Sequence, residues 1–178
     1  MSRSKLALPP SPGGAAPAPG SERARVSWRV RAAAAHDVPA VAAAVGELLL
    51  ELGGTPPAVP AMEAAARELL DDRSAGALLV AEGGGAIVGV LGASWQSAIH
   101  VPGRYALIQD LWVHSSWRGA GVGGGLLAAL FELARECGVA RVEVGLPRER
   151  FAGLAATEAF YVAAGFTALG PRMRRSLA

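Results

Sequence analysis

One stretch constrains the chain more than any other. From Ile108 to Leu127 it reads Ile-Gln-Asp-Leu-Trp-Val-His-Ser-Ser-Trp-Arg-Gly-Ala-Gly-Val-Gly-Gly-Gly-Leu-Leu. An apolar, strand-like run passes through alternate glycines into a helical pattern at Leu126 to Cys137. Gly119, Gly121 and Gly123 let the main chain approach a ligand with no Cβ in the way. Their N–H groups, with that of Arg118, can converge ahead of a helix N-terminus, an arrangement that binds phosphate oxygens. Each such charge-assisted hydrogen bond contributes about 1.5–3 kcal/mol, so four or five anchor a diphosphate. Arg118 adds a positive charge and a fork of donors. A loop alone does not call for alternate glycines directly before a helix.

Two other phosphate-binding patterns fit less well. Gly119 to Gly124 matches G-x-G-x-x-G, with Glu143 further on. A dinucleotide fold, however, turns tightly from strand to first glycine and needs a second half of its sheet. Here His114 to Arg118 intervene, and too little chain follows. No Gly-Lys-Ser/Thr follows the glycines, which excludes the P-loop.

Periodicity supplies a frame around this segment. Val26 to Arg31 alternates like a half-buried strand. A helix opens at His36-Asp37, with Asp37 as its cap and Pro39 in its first turn, and carries Val38, Val41, Val45, Leu48, Leu49 and Leu52. Gly53 to Pro57 ends it, and a second helix runs from about Pro60 to Leu70. Ala77–Glu82 and Ala86–Trp95 form a hairpin about Gly83-Gly84-Gly85. Residues 96–104 are a loop, and Tyr105–His114 is a strongly apolar strand. After the helix that Gly138 ends, Ala140–Leu146 is a strand and Thr157–Ala164 a helix stopped by Gly165. Thr167–Leu169 and Met173–Leu177 are a closing pair of strands. Strands on both sides of helices predict a mixed sheet in an α/β domain over 26–178. Residues 1–25 hold five of the 12 prolines and read as a disordered Pro/Ala/Gly-rich tail.

Composition narrows the partners. The chain has 178 residues, enough for one domain, with 52% hydrophobic and 18% charged residues. The net charge is +2, but Arg3, Lys5, Arg23 and Arg25 oppose only Glu22 in the tail, so the domain itself is not basic. Nucleic acid is therefore not an expected partner. No run of 18 apolar residues predicts a membrane span, and Leu6-Ala7-Leu8 is too short for a secretory signal. With one cysteine, Cys137, no internal disulfide can form, and a cytoplasmic location is expected. Cys137 reads as a buried small hydrophobe. His36, His100 and His114 have no i, i+4 pairing, so no metal site is expected.

The motifs resemble those of the GNAT superfamily of N-acetyltransferases. Arg118-Gly-Ala-Gly-Val-Gly123 is similar to its (Arg/Gln)-x-x-Gly-x-(Gly/Ala) signature, and Asp110-Leu-Trp-Val-His114 to its fourth strand. Phe160-Tyr-Val-Ala-Ala-Gly-Phe166 resembles its Phe-Tyr-x-x-x-Gly-Phe element. The order of elements over 26–177 is similar as well. The resemblance implies an acyl-CoA N-acyltransferase fold, a splayed central sheet flanked by helices, with acetyl-CoA as co-substrate. By it, Arg118, Gly119, Ala120, Gly121, Val122, Gly123 and Gly124 bind the diphosphate. Leu111, Trp112 and Val113 meet the pantetheine arm where the strands at 105–113 and 140–146 part, and the Val113 N–H polarises the thioester carbonyl.

The implied reaction is direct transfer of acetyl to a primary amine of a small molecule. A protein N-terminus or lysine is the alternative acceptor, and a non-catalytic acyl-CoA sensor the alternative function. A lysine-like amine of pKa about 10.4 costs about 4.6 kcal/mol to deprotonate at pH 7. A general base offsets part of that. Asp110 is the candidate base, ahead of Glu82 and Glu158, and Tyr161 the candidate general acid. Many family members carry Asn or Arg where this chain has Leu154. Trp95, Tyr105 and Trp112 are candidate walls of the acceptor pocket, which the loops at 53–59 and 96–104 and residues near Tyr161 should shape; His100 and Arg104 read first as residues of a solvated loop and second as a border of that pocket. Glu47 and Glu51, one helical turn apart, read first as a solvated face and second as a lure for a cationic amine. A homodimer through the C-terminal strands is expected by analogy alone.

Overall fold

The computed structural model describes residues 27–170. Five strands and four helices follow in the order β1 (Trp28–Ala32), α1 (Val38–Glu51), α2 (Val59–Asp71), β2 (Gly76–Gly83), β3 (Ala86–Ala98), β4 (Val101–Val113), α3 (Val122–Glu136), β5 (Val139–Val144) and α4 (Leu154–Ala163). Short 3₁₀ turns at Ala35–Asp37 and Ser115–Trp117 precede α1 and follow β4. The sheet order is β1-β2-β3-β4-β5, antiparallel throughout except for β4 and β5, which run parallel. The mixed α/β domain expected from the sequence is therefore present.

Each face of the sheet buries its own cluster. On one, α3 places Leu126, Leu127 and Leu130 against Leu79, Leu91, Ala93, Trp95, Ala106 and Ile108. Full burial of each leucine contributes about 1.5–3 kcal/mol. On the other, Val41 and Ala44 of α1 pack with Leu78, Val80, Val90 and Trp112. Helix α2 has no fully buried residue; its Leu69 and Leu70 cover the margin of this second cluster.

A bulge decides which β4 side chains face which helices. Gly92 pairs with Asp110, but Ala93 pairs with Ile108, so Gln109 is an extra residue in β4. Side chains alternate along a strand, and one inserted residue reverses the alternation. Ala106 and Ile108 thus face α3, whereas beyond the bulge Leu111 and Val113 do so and Trp112 turns towards α1. Asp110 shares Trp112's face.

Several boundaries differ from the sequence reading, each for a local reason. Residues 96–104 are mostly strand: β3 and β4 continue to a tight turn at Ile99-His100. Helix α3 begins at Val122, so Gly123, Gly124 and Gly125 lie inside its first turn. Thr167–Leu169 is irregular rather than strand, and Met173–Leu177, with the dimer surface imagined there, lies outside the described residues. Cys137 is exposed, because it ends α3 where Gly138 turns away at a φ of 69°. Asp37 does not cap α1. Its carboxylate, 4% exposed, takes two hydrogen bonds from Arg31 (2.6 and 2.9 Å) and one from the Ala34 N–H at 2.8 Å. Arg31 also reaches Glu82 at 3.2 Å, joining β1, β2 and the entry to α1.

The Arg31 guanidinium holds the Asp37 carboxyl below its usual 3.8, against the opposing effect of burial. A lowered carboxyl pKa stabilises the fold above the unfolded value, and that contribution disappears as pH falls through the folded value. Asp37→Asn is expected to cost about 2–3 kcal/mol at pH 7 in urea unfolding. The gap between variant and wild type should narrow as pH drops below about 4.

Candidate functional site

The site grows from the place where β4 loses a neighbour. Pairing between β4 and β5 runs from Arg104↔Val139 to Ile108↔Val144 and stops there. The His114 N–H donates to the Val88 carbonyl at 3.0 Å. Backbone groups alternate in direction along a strand. Those of Asp110, Trp112 and His114 therefore point to β3, and those of Leu111 and Val113 point to the open side. Because β5 ends at Val144, β4 beyond Ile108 has no strand partner on this side, and main-chain groups of Leu111 and Val113 are left there. Trp112 does not join them: its N–H faces β3 and its ring, 6% exposed, is in the core under α1.

The glycine segment follows directly. Gly119 and Gly121 have φ of 78° and 84°, a backbone region that disfavours any side chain. Gly121 is the N-cap of α3, and the first helical bond runs from the Gly125 N–H to the Gly121 carbonyl at 2.9 Å. The N–H groups of Gly121, Val122, Gly123 and Gly124 therefore have no acceptor within the helix, as at any helix start. No side chain among the described residues caps them. The Gly119 N–H is also without a partner among the described residues. Two expected donors are already spent: the Arg118 N–H goes to the Ser115 carbonyl at 3.4 Å and the Ala120 N–H to the Trp117 carbonyl at 3.2 Å. Five main-chain donors remain, at the positive end of a 15-residue helix.

Aromatic rings that the sequence reading missed hold this segment. Trp28 of β1 donates its indole N–H to the Ala120 carbonyl at 3.0 Å. Its ring fills the space a side chain at Gly125 would need, 2.4 Å from the position of a Cβ there. Phe160 of α4 does the same at Gly123, at 3.2 Å, with Val113 3.7 Å from that position. Trp117 packs its ring on Gly83 in the β2–β3 turn. Gly123 and Gly125 are thus glycine to admit rings, and only a structure could separate this from ligand approach.

The arginine fork is also engaged. Arg118 donates from Nε to the Val113 carbonyl at 3.0 Å, and from Nη1 and Nη2 to Glu51 Oε1 and Oε2 at 2.8 and 2.6 Å. Glu51 lies on an exposed helix face, as expected, but it is not a free lure for an amine because Arg118 holds it. Arg118 holds its pKa below the ordinary 4.5.

The candidate proton carriers lie on different faces. Asp110 is on the α1 side above Gly92, with its Oδ2 3.7 Å from where a Gly92 Cβ would sit and Leu69 and Leu78 nearby. Burial raises its pKa above 3.8. Next along this face, Ser94 Oγ accepts hydrogen bonds from the side-chain amides of Gln96 (2.8 Å) and Gln109 (2.9 Å). Tyr161 is 7% exposed on the α3 side, edge-on to Phe160 and Phe166, and burial pushes its pKa up to about 12. Its hydroxyl has no protein partner among the described residues, yet is not a sealed, unsatisfied group, so it retains access to solvent. Glu82 is tied to Arg29 and Arg31, which lower its pKa, and it suits a base poorly. Glu158 is exposed on α4. Trp95, donating to the Arg73 carbonyl at 3.2 Å, and Trp112 are core rings rather than pocket walls. Arg104 donates to the Ser74 carbonyl instead of standing free in solvent. Leu154 begins α4, and no group of three metal-ligating side chains occurs among the described residues.

The profile of the acetyltransferase (GNAT) family matches residues 47–166. The chain belongs to the GNAT family. No curated protein gives a significant match. Among solved structures, an acetyltransferase of Trypanosoma brucei is 25% identical, with a TM-score of 0.65 over 85% of this chain and 100% of that one. An aminoglycoside N-acetyltransferase in complex with CoA is 16% identical, with a TM-score of 0.71 over 85% and 95%. A ribosomal-protein-alanine N-acetyltransferase of Brucella melitensis is 18% identical, with a TM-score of 0.66 over 85% and 100%. The last two share the fold with this GNAT chain while their names specify a small and a protein acceptor.

Two of the three glycines of α3 give a test of the packing. Gly125→Ala drives a methyl into the Trp28 ring and is expected to cost about 1–3 kcal/mol in urea unfolding. Gly124→Ala meets nothing within 4 Å. It should leave stability unchanged or raise it by up to about 1 kcal/mol.

Proposed function

We propose that this GNAT chain moves an acetyl group from acetyl-CoA to a primary amine of a small molecule, by direct attack in a ternary complex. The observation that carries the reading is the set of five unengaged main-chain N–H groups at 119 and 121–124, beside an open strand edge at Leu111 and Val113. The amides hold the diphosphate, and the edge takes the amide-bearing pantetheine arm as a short additional strand. The Val113 N–H receives the thioester carbonyl oxygen as it gains charge.

The amine nitrogen attacks the carbonyl carbon, and its proton passes, directly or through water, to Asp110. Burial raises this carboxyl, which narrows the gap to an amine of pKa about 10.4. The tetrahedral intermediate expels the thiolate. Tyr161, at about 12, stays protonated across the working range. Full proton transfer to a thiolate of pKa about 8.5 would be uphill by about 5 kcal/mol. Tyr161 therefore stabilises the leaving sulfur as a hydrogen-bond donor, and the amine-derived proton completes the balance. A small polar acceptor is favoured by the Ser94–Gln96–Gln109 group beside Asp110. The Ser94 oxygen already accepts twice, so its own O–H remains to donate.

An amine panel with purified protein and acetyl-CoA, read by mass spectrometry, tests the reading. Acetyl-CoA binding with no acetylated amine would leave a sensor, and acetylation confined to peptides would move the acceptor to protein. With an acceptor in hand, Asp110→Asn should lower kcat by about 10²–10⁴. Tyr161→Phe should lower it less, by about tenfold, as loss of one hydrogen bond. A buried carboxylate costs stability when ionised, so Asp110→Asn should melt no lower than wild type at pH 7. The acid limb of kcat/KM should fall at a pH above the ordinary carboxyl value of 3.8 and vanish in the variant.

A further inference from the structure

We propose that the Arg118 side chain is a positioning residue that bolts the end of β4 to α1 through Glu51, and that it does not bind the diphosphate. The inference rests on the acetyl-CoA reading above and deepens it. A guanidinium offers two bidentate faces, one across its two Nη atoms and one across Nε and a single Nη. Glu51 occupies the first with both carboxylate oxygens, at 2.8 and 2.6 Å. The Val113 carbonyl takes the Nε corner of the second at 3.0 Å. Neither fork is left whole for a phosphate.

The bolt's attachment points explain its use. The Val113 carbonyl lies on the strand edge that β5 has left, where no strand partner holds it. Without Arg118 that last residue, whose N–H faces the thioester, would be anchored from β3 alone, through Trp112 and His114. Glu51 ends α1, directly before the segment 52–58 that leads into α2 on the Asp110 side of the sheet. One side chain thus fixes the donor edge to the helix pair that bounds the acceptor face. The diphosphate needs no side chain, because the five amides carry its recognition.

The competing role, in which Arg118 leaves Glu51 for the diphosphate, predicts opposite signs. Calorimetry with acetyl-CoA and with 3′-phospho-ADP, which has the diphosphate but no pantetheine, separates them on wild type, Glu51→Gln, Arg118→Gln and Arg118→Lys, with thermal melts to confirm folding. The bolt predicts that both Arg118 variants weaken acetyl-CoA about tenfold while 3′-phospho-ADP stays within twofold. Lysine should not rescue, since a point charge cannot span Val113 and both Glu51 oxygens. Glu51→Gln should weaken acetyl-CoA about threefold. The proposal is overturned if 3′-phospho-ADP weakens in step with acetyl-CoA, if Arg118→Lys binds like wild type, if the Arg118 variants lose nothing, or if Glu51→Gln leaves acetyl-CoA unchanged or tighter. Should the Arg118 variants fail to fold, the sign for Glu51→Gln decides. Wild type that binds no acetyl-CoA refutes the transferase reading instead.

Discussion

A strand with a missing neighbour organises this molecule. From Arg104 to Ile108, β4 is paired on both sides; after it, β5 has ended and the peptide groups of Leu111 and Val113 have no strand partner on that side. Unpaired strand edges are a liability in most sheets, since any extended chain can add to them. Here the edge is short and ends in a helix start that also has unspent donors. The two features adjoin, so a ligand with an amide-bearing arm and a charged end can satisfy both at once. Neither would be explained by packing, which favours closing the sheet.

The bulge at Gln109 matters as much as the gap. Without it, the side chains after Ile108 would keep the earlier alternation, and Asp110 would face α3 with Leu126 and Leu130. One inserted residue places the carboxyl on the opposite side from the leucines, and leaves Leu111 and Val113 to complete the apolar face. The carboxyl is still partly desolvated, which keeps it more basic than an exposed aspartate. Position and proton affinity come from the same local irregularity.

Much of this was legible in the residues. The glycine signature before Leu126, the apolar strand at 105–113 and the Phe160-Tyr161 element located the loop, the edge and the buried phenol, because each is a short-range pattern with a local cause. Pairwise tertiary contacts were not legible. Nothing in the spacing of Glu51 and Arg118 says that they meet, and Trp28 gives no sign that its indole reaches Ala120. The facing of Trp112 depended on a bulge that alternation alone does not announce. Asp37 looked like a helix cap because capping is the local use of that residue type, but Arg31 offered a stronger partner from across the chain turn.

The indole that braces the glycine segment comes from β1, and the family's profile begins only at Glu47. The glycine loop therefore leans on a segment outside the matched profile, though inside the 85% of the chain that the solved neighbours cover. A fragment cut to the profile's limits would retain every signature residue and lose the prop behind Ala120. In this chain the limits of the profile and the limits of a working unit do not coincide.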